Sequence, residues 1–284
     1  MNVSVIIPAQ ASQAAALAAS IEGVLAQRYA AGRIELIVVQ YGGGRLAVPP
    51  APPGRHLRLL AVDHPSPYAA RNVAATEATG EAFLFTEPGC VPDHDWVAAH
   101  VARLGDSTVT LGVGRVAPGR ATRLVNLFLS YEDVRDAWVF SQPRWQHLFG
   151  RPKNMAVARR RFASHGPFAE VMRGADSKLV QLVAREVERG EVALTPDAVV
   201  RQRSIRGLPS CLRDRFDHAV ALQTHRSAHA APISFAQRVR LFRDTLDRRG
   251  HGPLGAATLV VALAAGILAF RLGGWVGAAR RRRG

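Results

Sequence analysis

Cysteine is nearly absent. Cys90 and Cys211 are the two such residues in 284, too few for a disulfide framework or a four-thiolate zinc site. They fit a reducing compartment or buried small side chains. Acidic residues are also scarce, with 22 Asp and Glu against 37 Lys and Arg and a formal charge of +15. The first apolar run, Val3 to Ile7, is short and has no basic flank. It is expected to be a strand rather than a secretory leader, which puts the body of the chain in the cytosol. There is no Gly-x-Ser-x-Gly elbow, so a hydrolase triad has no support. No nucleic-acid-binding motif accompanies the dispersed basic residues, and nucleic acid is not the expected partner. Anionic lipid or a phosphorylated substrate fits the charge better. The 48% of apolar residues excludes wholesale disorder.

What is present is an alternation of strand and helix signals. Val3–Ile7, Ile34–Val39, Leu57–Val62 and Ala82–Thr86 are β-rich runs. Gln13–Gln27, Tyr68–Ala78 and Asp95–Leu104 have helical spacing, and a proline-rich loop spans Val48–Gly54. Such alternation predicts an α/β fold with a mostly parallel central sheet, and ligands bind such sheets at the carboxyl ends of the strands. Farther on, Thr108–Val113, Asn154–Ala158, Val192–Leu194 and Ala198–Val200 are expected as short strands. Thr122–Val139 and Asp176–Arg189 are expected as helices, and Leu208–Thr224 and Phe235–Arg248 as basic amphipathic helices.

The tail has a different composition. Leu254 to Phe270 is seventeen uncharged, largely apolar residues, followed by Arg271, a second apolar run and Arg280 to Arg283. With basic residues on both sides, membrane contact is expected. Three forms stay open: a span, a pair of helices bent at Gly273-Gly274, or a buried core helix. The chain thus divides into 1–205, an α/β domain; 206–252, basic helices; and 253–284, a membrane-associated hydrophobic tail.

Several ordered segments resemble the family 2 glycosyltransferases: Val3-Ser4-Val5-Ile6-Ile7-Pro8-Ala9; Ala70-Arg71-Asn72; Ala78-Thr79-Gly80-Glu81; Cys90-Val91-Pro92 with Asp95-Trp96; Asn154-Met155-Ala156-Val157; Gly166-Pro167-Phe168; Gly174-Ala175-Asp176; and Pro196-Asp197-Ala198-Val199-Val200. The resemblance covers roughly residues 1–205. It implies the GT-A type nucleotide-diphospho-sugar transferase fold and inverting transfer from a nucleotide-sugar donor. Asp176 would be the catalytic base, and Pro8, Ala9, Gln40, Arg71, Asn72, Glu87 and Asn154 would surround the donor. The tail adds the expectation of a lipid-linked or envelope-glycan acceptor. Partners are then donor, acceptor and membrane.

The chain departs from the family pattern where a cation is usually held. Glu87-Pro88-Gly89 replaces Asp-x-Asp, Gln40-Tyr41 replaces a base-reading Asp, Gln202 replaces a His, and Ala175 precedes Asp176 where a Glu is usual. Hard cations want several oxygen ligands. Glu87 is the one remaining candidate ligand, so no cofactor is assigned, with Mg²⁺ or Mn²⁺ left open. Either Arg71, Lys153, Lys178, Arg201 or Arg203 meets the diphosphate, or the fold persists as a membrane-bound interaction partner without activity.

Simpler roles compete for single residues. Asp176 can cap its helix, Arg71 can pair with Glu77 or Glu81, Glu87 and Gln40 can be turn and loop residues, and Asn154 can belong to the core. Gly42-Gly43-Gly44-Arg45 lacks the Lys-Ser/Thr ending of a phosphate loop and is expected to be a turn. His225 and His229 have no third ligand nearby, and Arg159-Arg160-Arg161 is expected as a solvated or lipid-facing edge.

Overall fold

The computed structural model describes residues 1–50, 56–105, 109–118, 122–186, 190–205, 207–224, 233–249 and 252–283. Residues 51–54 of the proline-rich loop, Thr108, the 187–189 end of one expected helix, and His225 with His229 lie outside them. The chain forms two compact units, Met1–Ala117 with Phe149–Gln202, and Pro118–Leu148 with Arg203–Gly284. The first unit ends at Gln202, and the segment 118–148 belongs with the C-terminal helices.

The first unit contains β1 (Val3–Ala9), α1 (Ala14–Leu25), β2 (Ile34–Gln40), β3 (His56–Ala61), α2 (Pro67–Glu77), β4 (Ala82–Phe85), β5 (Cys90–Pro92), α3 (Trp96–Gly105) and β6 (Leu111–Pro118). The second unit opens with α4 (Arg123–Ser141). Back in the first come β7 (Met155–Ala158), α5 (Arg159–His165), α6 (Ala175–Glu186) and β8 (Val192–Gln202). The sheet order is β3-β2-β1-β4-β7-β6-β8-β5. The expected parallel part is β3-β2-β1-β4, and β7 then pairs antiparallel with β4 and β6, as does β5 with β8.

Pro8 was expected to end β1, yet the strand runs on to Ala9. The carbonyl of Ile6 accepts from Thr86 N on the β4 side, and Pro8 shares that orientation. Because β4 ends at Phe85, no partner faces the missing N–H. The two short runs expected at 192–194 and 198–200 are one strand, β8, in which Pro196 and Asp197 are exposed. Arg159–Arg161 forms the first turn of α5, with Arg159 and Arg160 exposed as a solvated edge would be, while Arg161 pairs with Glu191 at 2.5 Å.

The core lies on both faces of the parallel strands. On one, Val3, Val5 and Ile7 of β1 meet Leu17, Ile21 and Val24 of α1 and Trp96 and Val97 of α3, all essentially sealed. On the other, Phe83, Phe85, Phe162 and Phe168 stack at centroid distances of 5.2–6.2 Å. Tyr68 joins this cluster against Phe168 at 5.3 Å. Ser66 caps α2 by accepting from the Tyr68 and Ala69 amides, and Pro67 occupies the first turn, where no N–H is needed. These features fix where the polar face of α2 points.

The second unit consists of α4 with α7 (Leu208–Thr224), α8 (Phe235–Arg249) and α9 (Pro253–Arg283). Leu127, Tyr131, Leu241 and Leu259 form its core. The hydrophobic tail is one continuous helix, so of the three forms left open the pair bent at Gly273-Gly274 does not occur. A Cβ at Gly273 would lie 2.3 Å from the Phe216 carbonyl oxygen, so this glycine serves a close helix–helix approach and not a break.

Candidate active site

The parallel strands end together: β1 at Ala9, β2 at Gln40 and β4 at Phe85. Antiparallel β7 begins where β4 stops, since Phe85 is opposite Met155. Lys153 and Asn154, just before β7, therefore reach the same edge as Thr86 and Glu87. Thr86 Oγ1 donates to the Lys153 carbonyl at 3.0 Å. The end of β8 arrives there through Gln202, opposite Cys90. Gly89, at φ 81°, turns the chain between Glu87 and β5.

Arg71, only 1% exposed, donates from Nη2 to Glu87 Oε1 at 2.8 Å, while Glu87 is 29% exposed. Its guanidinium also lies 5.0 Å from the centre of the Tyr68 ring. The Tyr68 hydroxyl donates to Asp176 Oδ1. Asp176 sits in the first turn of α6 and is 5% exposed. Asp176, Tyr68, Arg71 and Glu87 thus form one connected cluster, which joins α2 to the loop after β4 and to the start of α6. Neither Glu77 nor Glu81 pairs with Arg71. Glu77 meets Arg58 at 3.0 Å, and Glu81 accepts from the Asn2 amide at 2.6 Å.

Burial pushes the Asp176 carboxyl above its ordinary range, and Glu87 adds to this, while the Tyr68 hydrogen bond and Arg71 pull it back. Tyr68 is held well above a normal phenol by burial and by Asp176. Tyr41 is raised by burial and by Glu87, against Arg71 and Arg173, so it shares the field of the cluster. Asp176 Oδ2 accepts from Ser177 Oγ at 3.5 Å. A carboxylate with one oxygen fixed and a raised pKa has the form of a general base.

Lys153 provides a second positive group at this edge. Its Nζ donates to Gln202 Oε1 at 3.2 Å. Arg201, the next residue back along β8, points to the other face and is held by Asp93 at 2.7 and 2.9 Å. Lys178 is exposed on α6, and Arg203 belongs to the second unit.

Other expected donor contacts already have partners. Gln40 donates to the Gly44 carbonyl and accepts from Leu46 N, closing the triple-glycine turn. Asn72 exchanges two 2.9 Å bonds with the Phe168 backbone. Pro8 and Ala9 are buried, and the Ala9 carbonyl accepts from Tyr41 N at 3.1 Å. Asn154 is fully buried. Its Oδ1 accepts from Trp96 Nε1 at 2.7 Å and meets His100 Nε2 at 2.8 Å, while its Nδ2 donates to the carbonyls of Arg115 and Ala198. Asn72 and Asn154 therefore hold the framework around the site.

Two stability predictions follow from this hub. Asn154→Ala would leave two buried donors and two buried acceptors unmatched, and should cost about 3 kcal/mol or more in denaturant unfolding. His100, sealed beside Asn154, is pushed down to about 4 by burial, against the opposing hydrogen bond. Below pH 6.5 the unfolded chain takes up a proton that the folded chain refuses. Stability should fall between pH 6.5 and 4 by an amount approaching about 3 kcal/mol. Unfolding of His100→Gln should show a flatter dependence over that window.

Sequence reasoning missed Tyr68 and named Tyr41 only as part of the replacement for a base-reading Asp. Tyr68 lies three residues before Arg71 and so shares its helix face, which was the available signal.

No family model matches the chain, and no curated protein matches it. Solved structures do. The mannosyltransferase PcManGT from Pyrobaculum calidifontis, in complex with GDP-Man and Mn²⁺, aligns with TM-score 0.58 at 19% identity, over 99% of this chain and 86% of its own. S. aureus TarS 1-349 with UDP-GlcNAc aligns with TM-score 0.53 at 12% identity, over 99% and 90%. Glucosyl-3-phosphoglycerate synthase from Mycobacterium tuberculosis, with Mn²⁺, UDP-Glc and phosphoglyceric acid, aligns with TM-score 0.50 at 16% identity, over 82% and 88%. The chain has the GT-A fold.

Two of these GT-A neighbours were captured with Mn²⁺. The residues here do not suit such an ion. Glu87 is taken by Arg71, Gly89 has no side chain, and Gln202 turns its oxygen to the Lys153 ammonium. Among the described residues there is no group of three His, Cys, Asp or Glu that could hold a metal. An incoming dication would meet one already paired carboxylate and a fixed positive charge.

Proposed function

We propose that this chain is a glycosyltransferase that moves a sugar from a nucleotide-sugar donor to an alcohol, with inversion at the anomeric carbon. The observation that carries the reading is the Asp176–Tyr68–Arg71–Glu87 cluster at the carboxyl ends of the parallel strands of a GT-A fold. Asp176 Oδ2 accepts the proton of the acceptor hydroxyl. The hydroxyl oxygen attacks the anomeric carbon, and the bond from that carbon to the diphosphate oxygen breaks on the opposite face. Negative charge then grows on the departing nucleoside diphosphate. Lys153, held by Gln202, is the cation set to receive it. Arg71 is neutralised by Glu87, and its guanidinium holds Tyr68 from one side.

The proposed acceptor is a lipid-linked or envelope glycan, and the proposed location is the cytoplasmic side of a membrane. Support comes from the long apolar C-terminal helix in the same chain.

Thermal shift with GDP-, UDP-, ADP- and dTDP-sugars, each with and without Mn²⁺, tests the proposal. One nucleotide class is expected to raise the midpoint equally in both conditions. No shift with any nucleotide would favour the catalytically silent interaction partner, and a shift that requires Mn²⁺ would contradict the role given to Lys153.

A further inference from the structure

By length and composition α9 is long and apolar enough to cross a membrane: its best window has a mean hydropathy of 2.1 and is 17% buried. It also packs against α7. Gly266, Gly273 and Gly277 lie on one face. A Cβ at these positions would meet Phe128 and Arg215, the Phe216 carbonyl, and the Val220 carbonyl. Arg281 donates to the Gln223 carbonyl. Both numberings rise together, so residues 266–281 of α9 run parallel to residues 215–223 of α7.

The outer side of α7 is polar, with Arg213, Asp214 and Asp217 exposed. A bilayer crossed by α9 would have to take these groups into hydrocarbon or strip α7 away, and charged side chains at that depth are strongly disfavoured. The opposite face of α9 is bare. Leu254, Val261, Leu268, Leu272 and Trp275 are 42–83% exposed and follow helical spacing as one stripe. From Leu254 to Trp275 the stripe is roughly 30 Å long at 1.5 Å per residue. Arg271 and Arg280–Arg282 are exposed on the same helix, and Arg238, Arg240 and Arg243 are exposed on α8.

We infer that α9 lies flat in the surface of an anionic membrane, its bare stripe in the outer acyl region and its arginines among the headgroups, while α7 stays in water. An anionic lipid leaflet is the occupant because the stripe is edged by arginines and the chain carries +15. The inference does not depend on the proposed transferase activity.

The experiment uses the full chain and phosphatidylcholine vesicles with and without phosphatidylglycerol. Binding is expected to rise at least about tenfold with the anionic lipid and to weaken in high salt. Val261→Asp with Leu268→Asp should cut vesicle binding at least about tenfold with an unchanged melting midpoint, because both side chains are exposed. Topology is read with Gly252→Cys and Arg282→Cys, one at each end of α9, since Cys90 and Cys211 are buried. An impermeant maleimide added to intact vesicles should label both ends alike. Protection of one end until detergent is added would mean a span and would overturn the inference. So would undiminished binding by the aspartate pair. A soluble dimer that ignores vesicles and is broken by the same pair would assign the stripe to a second copy and also overturn it.

Discussion

Asp176→Asn is expected to lower the rate of glycosyl transfer by about 10³-fold, within the 10²–10⁴ range that a positioned base supplies. Asn keeps the shape and can still meet the Tyr68 hydroxyl, but it accepts no proton. The sign of the stability change separates this loss from unfolding. Because the folded Asp176 carboxyl titrates above its ordinary value, its charged form costs folding free energy at neutral pH. The variant should melt at the same temperature or higher while activity disappears. In the unsubstituted chain the acidic limb of the pH–rate profile should lie above the ordinary aspartate range. Tyr68→Phe removes the hydrogen bond that pulls this pKa down, so the limb should move to still higher pH, with a lower plateau. A residue that served only to cap α6 would move neither the limb nor the plateau.

The second large effect concerns Lys153. Lys153→Met preserves length and apolar stem and removes the charge. Donor turnover, as kcat/KM, should drop about 10²–10³-fold, the cost of removing one fixed donor from a developing anion. Lys153→Arg should recover part of the rate, because charge is kept while geometry changes. Gln202→Leu should show a smaller loss, since it removes the 3.2 Å bond to the ammonium and leaves the charge in place. For the unsubstituted chain, EDTA should leave kcat/KM unchanged. A lysine that merely tied β7 to β8 would lose stability on substitution and leave the turnover of folded protein intact.

How much of this was legible in the sequence depended on how local the signal was. The parallel strands were visible because Val, Ile and Leu runs buried on both faces stand out, and Gly80 stood out in the Ala78-Thr79-Gly80-Glu81 motif before β4, where it passes close to β1. A Cβ at Gly80 would lie 2.5 Å from Ser4 N. Strand β5 was not visible, since three residues after a turn carry no periodicity and their partner, β8, is more than a hundred residues away. The continuity of β8 was hidden by Pro196, which is tolerated where the strand is exposed.

In the site, the carboxylate at 176 and the cation at 71 were legible as residue types in an ordered series of motifs. Their pairing was not. Nothing in the sequence says that Arg71 chooses Glu87 over Glu77, or that Tyr68 reaches across 108 positions to Asp176. Asn154 was read as a donor contact with core packing as its alternative, and only packing discloses what its amide holds. Its amide satisfies Trp96, His100 and two carbonyls at once.

Diffraction from crystals soaked with the matching nucleoside diphosphate and MnCl₂, recorded at the manganese absorption edge, tests the central claim most directly. The account predicts the diphosphate within hydrogen-bond distance of Lys153 Nζ and no anomalous peak beside the phosphates. A manganese peak bridging the phosphates to Glu87, with the Arg71 pair opened, would contradict it.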